Sequence, residues 1–106
     1  MNLLINREEV GSSLTLHLLG VMDISTTGTL DAIINDIHQD IEEVVIDFSG
    51  VEFMDSTGVG SIMNAIFLAD SMSFTLKLRG MNDMIDEILE MVGVYKVLES
   101  VVGGGE

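Results

Sequence analysis

The chain contains no cysteine, and only Arg7, Lys77, Arg79 and Lys96 stand against 18 acidic residues. Without thiols there are no disulfides, no zinc-thiolate sites and no cysteine nucleophile. The formal net charge of -14 repels phosphate backbones and anionic lipid, so nucleic-acid binding and polybasic membrane attachment are not expected. That charge keeps a domain soluble and favours a basic protein partner. Aromatic residues amount to 5%, which leaves core filling to Leu, Ile, Val and eight methionines, a side chain that adapts to irregular gaps. No apolar stretch approaches the roughly 20 residues that span a bilayer. The first residues lack a basic segment leading into an apolar run, so no signal peptide is read and a cytoplasmic location is expected.

What is present suits one compact domain: 106 residues, 47% of them hydrophobic, enough for a core but not for two. Leu3-Leu4-Ile5 opens a first strand. Gly11-Ser12-Ser13 supplies turn chemistry, and Leu14-Thr15-Leu16-His17-Leu18 alternates with period two, as in a hairpin with one wet face. Leu30, Ile33, Ile34, Ile37 and Ile41 recur at helical spacing, with Ser25, Thr26 and Thr27 ahead as caps. Val44 to Phe48 reads as a central strand. Val59, Ile62, Met63, Ile66 and Phe67 predict a second helix, and Phe74 to Leu78 a further half-wet strand. Met84, Ile85, Ile88, Leu89 and Val92 predict a third helix closing near Gly93. Val94 to Val102 is read as a short edge strand, and residues 103–106 as a flexible tail. The expectation is an α/β domain over residues 1–102, a mixed sheet of four to five strands with helices on one face.

The stretch from Asp47 to Gly60 carries the chemistry. It passes from a buried strand through a polar turn into a helix, with Asp55, Ser56 and Thr57 at the entrance. Gly58 and Gly60 follow where a surface helix gains up to about 1 kcal/mol from alanine. Bare backbone at that point suits close approach by another molecule. Local pattern leaves two roles open for Ser56, a helix cap or an acceptor of a phosphoryl group at a helix N-terminus.

Phe53-Met54-Asp55-Ser56-Thr57-Gly58-Val59-Gly60 resembles the phosphorylation-site turn of STAS-domain anti-sigma factor antagonists. Gly20-Val21-Met22-Asp23 is similar to the turn that follows the family's second strand. Leu76 to Met81 and Ile88 to Lys96 resemble its late strand and third helix. The likeness runs along nearly the whole chain, in order. It implies a bacterial partner-switching module: a serine kinase of GHKL type, itself an anti-sigma factor, phosphorylates Ser56, and a PP2C-type phosphatase reverses this. The unphosphorylated form binds the kinase and frees the sigma factor; the phosphorylated form lets go. The resemblance also implies a switch surface of Asp23, Asp55, Ser56, Thr57, Gly58 and Gly60, with Asp23 holding the Ser56 loop or the kinase interface. The domain is expected to be a monomer when free, with no cofactor. The family commonly ends in a helix, which the reading of Val94 to Val102 makes absent or very short.

No enzyme can be assembled from these residues. His17 is read as outward on its strand and His38 as lying on the polar side of a helix, both solvated. Ser56 lacks a G-x-S-x-G setting, and neither an EF-hand loop nor a P-loop is present. The alternative keeps the fold and changes the task. STAS domains also serve as accessory subunits of lipid-transport complexes, or in signalling assemblies without a sigma-factor target.

Overall fold

A computed structural model of the chain describes residues 2–102, which form one four-stranded sheet and four helices. Strand β1 (Leu3–Val10) turns through Gly11 into β2 (Ser13–Met22), and the two pair antiparallel. Helix α1 (Thr27–Asn35) leads to β3 (Glu43–Met54), parallel to β2; helix α2 (Ser56–Met72) leads to β4 (Thr75–Arg79), parallel to β3. Helices α3 (Asp83–Met91) and α4 (Val94–Val102) complete the described chain. Strand order in space is the order in sequence. Two crossovers of one hand that advance the same way across a sheet place both helices on the same face.

Residue alternation shows which face that is. Leu14, Leu16, Leu18, Val44, Ile46, Phe48 and Leu76 are buried, and they share one core with Leu30, Ile34, Ile62, Ile66, Ile85, Leu89, Val94 and Leu98 from the four helices. Each such side chain contributes about 1.5–3 kcal/mol when fully buried. The other face carries Thr15, His17, Asp47, Lys77 and Arg79 at the intervening positions, none of them buried, with Val45, which is buried, level with Thr15 and Lys77. The expected one-sided mixed sheet is therefore the observed one, with four strands among the described residues.

Four expectations are corrected. The central strand does not end at Phe48: β3 continues through Ser49–Met54, read as a polar turn, and only Asp55 separates it from α2. Val94–Val102 is helix α4, not an edge strand, and the final helix is present. Its Val94 and Leu98 are four residues apart, fall on one helical face and are both buried, which outweighs the strand preference of valine. Helix α1 stops at Asn35; Ile37 and Ile41 are buried from the irregular chain beyond it, so His38 is not helical. Phe67, assigned to the inner side of α2, is 54% exposed, while Ser61 and Ala65 face the core instead. The expected tail, residues 103–106, lies outside the described residues.

Candidate functional site

Because β2 and β3 run parallel, their C-terminal ends meet at one edge of the domain. Met22 is level with Met54, and the turns begin directly afterwards, at Asp23 and Asp55. That alignment depends on two register shifts. From His17 to Met22 the chain of β2 advances five residues, while β3 advances seven, from Asp47 to Met54. A regular ladder would set Met22 opposite Glu52 and leave Asp55 further along. The shifts, around Ser49-Gly50 and Glu52, thus bring the two turns together. The Asp55 amide then donates to the Met22 carbonyl at 3.1 Å, tying the turn to β2.

Asp55 is the N-cap of α2. Its Oδ1 accepts the Thr57 amide at 2.9 Å and the Thr57 hydroxyl, and its carbonyl accepts from the Gly58 amide at 3.0 Å. The capping role that the sequence leaves open among Asp55, Ser56 and Thr57 thus falls to Asp55. Ser56 is the first helical residue and is exposed. Its hydroxyl has no side-chain or backbone partner among the described residues. These bonds, led by that from the Thr57 hydroxyl, hold the Asp55 carboxyl below its ordinary range, while the nearby charge of Asp23 opposes them.

Asp23 organises its own turn. Its Oδ1 accepts the Ser25 hydroxyl at 2.6 Å and the Ser25 amide at 2.9 Å, and the Ser25 hydroxyl is the leading cause of its lowered pKa. Thr26, expected as a cap through its hydroxyl, makes no such bond to α1; the hydroxyl donates to the Val21 carbonyl at 2.8 Å and accepts from the Asp23 amide at 2.9 Å. Asp23 and Asp55 therefore stand side by side. The carboxylate of Asp23 makes no bond to the Ser56 loop among the described residues.

The two glycines differ. A Cβ on Gly58 would lie 2.4 Å from Met54 Cγ and 3.2 Å from Met22 Cβ, so the close approach there is by the protein's own strands. Around Gly60 there is nothing within 4 Å, and it is exposed one turn along the helix from Ser56. Two exposed apolar side chains flank these turns: Ile24, 82% exposed, which the sequence reading did not single out, and Phe53, 46% exposed, which it quoted only as the first residue of the motif. The signal for Ile24 was an apolar residue inside a polar turn, whereas Phe53 lies on β3. No group of three or more potential metal ligands occurs among the described residues.

The family model described as "Mlab, STAS domain" matches residues 5–100. The anti-sigma F factor antagonist of Paenibacillus polymyxa is 26% identical over 100 residues, covering 92% of this chain and 86% of the relative. In fold, the chain is similar to an anti-sigma factor antagonist from Mycobacterium paratuberculosis, with TM-score 0.74, 21% identity and 93% of each chain covered. It is likewise similar to the phosphorylated form of the Bacillus cell fate determinant SpoIIAA, with TM-score 0.72, 17% identity, and 86% of this chain and 85% of the other covered.

Proposed function

This chain belongs to the STAS domain family, and on that premise we propose that it is an anti-sigma factor antagonist switched by phosphorylation of Ser56. It has no enzymatic role in this reading; it acts in the cytoplasm by binding. The unphosphorylated form binds a serine kinase of GHKL type that also restrains a sigma factor, and so releases that factor. Phosphorylation of Ser56 by the same kinase ends binding, and a PP2C-type phosphatase restores it. The observation that carries this reading is the division of labour at the start of α2. Asp55 caps the helix, which leaves the Ser56 hydroxyl exposed and unengaged.

Asp23, Asp55, Thr57 and Gly60 form the surface around that hydroxyl, with Gly60 letting a partner approach the helix backbone, while Gly58, buried against Met54 and Met22, seats the start of the helix on the strands. A phosphoserine brings about -1.5 to -2 charges at the positive end of the α2 dipole, where negative charge is tolerated without unfolding the domain, although the Thr57 and Gly58 amides are already bonded to Asp55. Buried against a partner without a cation, the same group costs several kcal/mol. Even about 3 kcal/mol weakens binding more than a hundredfold.

Intact-mass analysis with site mapping, after incubation with Mg-ATP and a lysate of the source cells, is expected to find one phosphoryl group on Ser56. Ser56→Ala should take up none and bind the kinase constitutively, whereas Ser56→Asp should bind weakly. If both variants are retained equally in a pull-down, the switch is refuted. A second reading draws on the description of the matching family model, which names Mlab. A STAS accessory subunit of a lipid-transport complex would bind its ATPase stably. It would remain unmodified in a lysate whose kinases are shown to be active.

A further inference from the structure

The face of the sheet away from the helices carries a row of charge that crosses all four strands. His17, near the middle of β2, has its Nε2 3.0 Å from Glu8 Oε1 on β1 and its Nδ1 3.0 Å from Asp47 Oδ2 on β3. Arg79 Nη2 on β4 lies 3.6 Å from the same Asp47 oxygen. An ionised carboxylate only accepts hydrogen bonds, so a ring that satisfies one on each side must donate from both nitrogens. Only the imidazolium does that. A neutral ring holds one proton and loses one of the two bonds.

What these bonds fasten is an otherwise weakly held strand. Of β1, only Leu3 is buried and Ile5 half-buried; every other residue is exposed. Its attachment rests on the ladder to β2 and on side-chain bridges, the composition expected of a segment that opens at low cost. On the opposite face, His38 Nε2 lies 3.3 Å from Glu9 Oε2, so adjacent glutamates of β1 meet both histidines of the chain.

We propose that His17 is a pH-responsive clamp: as an imidazolium it cross-links the edge strand β1 to β3, and on losing a proton it loosens β1 from the sheet. The charged groups that face it are Glu8 from β1, Asp47 and, further along the strand, Glu43 from β3, and Arg79 and Lys77 from β4. The two cations are matched by the β3 carboxylates, Lys77 Nζ lying 3.0 Å from Glu43 Oε2. Strand β2 carries no other titratable side chain, and the helices lie on the far face. The bonds to Glu8 and then to Asp47 raise the His17 pKa above its ordinary 6.5. The sign follows: the clamp is complete below that ordinary value and is lost as pH rises through the folded one.

Long-range proton–nitrogen NMR of the labelled full chain, titrated across the neutral range, tests this. Expected are imidazolium shifts at both His17 nitrogens at neutral pH and a titration midpoint above that of the same chain in concentrated urea. Glu8→Gln, a change at an exposed position, should lower the midpoint. Protection of the β1 amides, corrected for intrinsic exchange, should fall through the midpoint in the parent and not in His17→Gln. A folded midpoint at or below the unfolded one, a midpoint indifferent to Glu8→Gln, or an equal fall of protection in both proteins would each overturn the clamp.

Discussion

Gly58 and Gly60 are separated by a single residue of α2, yet a methyl group would meet different surroundings at each. At Gly58 it would press on Met54 Cγ at 2.4 Å and Met22 Cβ at 3.2 Å. Overpacking of that kind costs about 1–3 kcal/mol, against a gain of up to about 1 kcal/mol in helix propensity. Gly58→Ala should therefore lower the urea midpoint, and a variant as stable as the parent would show that α2 can slide away from the strands. At Gly60 there is nothing to meet, so Gly60→Ala should gain about 0.5–1 kcal/mol. If the partner approaches the bare helix there, the same variant will bind the kinase less tightly while being more stable. Opposite signs for stability and binding at one position would separate a packing role from an interface role. Both glycines stand out in the sequence, but only the register of the strands beneath tells them apart. Nothing within the octapeptide around Ser56 states that two shifts in β3 bring Met54 level with Met22.

At the scale of elements, α4 shows most clearly where local pattern falls short. Val94, Val97, Val101 and Val102 favour a strand by composition, and a nine-residue segment is too short to form a helix on its own. Its conformation is decided by what it covers: Val94 and Leu98 are buried in the core that Ile62, Ile66 and Leu89 also enter. Asp86, on α3, accepts the Tyr95 hydroxyl at 2.6 Å, a bond that bridges the last two helices. Leu98→Ala should therefore cost about 2–5 kcal/mol, as for other buried leucines. A loss below about 0.5 kcal/mol, the range of ordinary surface substitutions, would mean that α4 is not docked in solution. The strongly periodic elements were legible, β2 and β4 above all, because their burial follows from one spacing sustained over several residues. Strand β3 was recognised from its β-branched run but read as ending at Phe48, since Ser49 to Met54 has the composition of a turn. Helix α1 was read too long for the converse reason. Ile37 and Ile41 keep helical spacing and are buried, but the chain carrying them has already left the helix. The His17 bridges were not legible, since they join residues 9 and 30 positions apart in sequence that only the pairing of strands brings together.

For the whole molecule, a formal charge of -14 sits on a body of 32 × 26 × 20 Å. Self-repulsion on that scale opposes compactness, and a Debye length of about 10 Å at 0.1 M salt is short enough to screen most of it. Moderate salt should thus stabilise the fold at neutral pH, even though it weakens the exposed ion pairs of the sheet, each of which contributes little. Titration adds a second constraint. Asp47 is held at about 2, led by the Ser49 hydroxyl, and Asp23, Asp55 and Glu43 are also lowered. Their contribution is present above the ordinary carboxylate values of 3.8 and 4.5 and is lost as pH falls through the folded ones. His17 is raised, so its contribution is present below 6.5 and is lost as pH rises through the folded value. Repulsion also eases as pH falls towards the sequence pI of about 4.1. The three effects agree on an optimum in mildly acidic solution, between the ordinary values of the carboxylates and of His17. Urea unfolding across this range, at low and at moderate salt, should show that optimum, and moderate salt should flatten its alkaline side. A stability that instead climbs steadily from mildly acidic to alkaline pH would mean that neither His17 nor the net charge governs the fold.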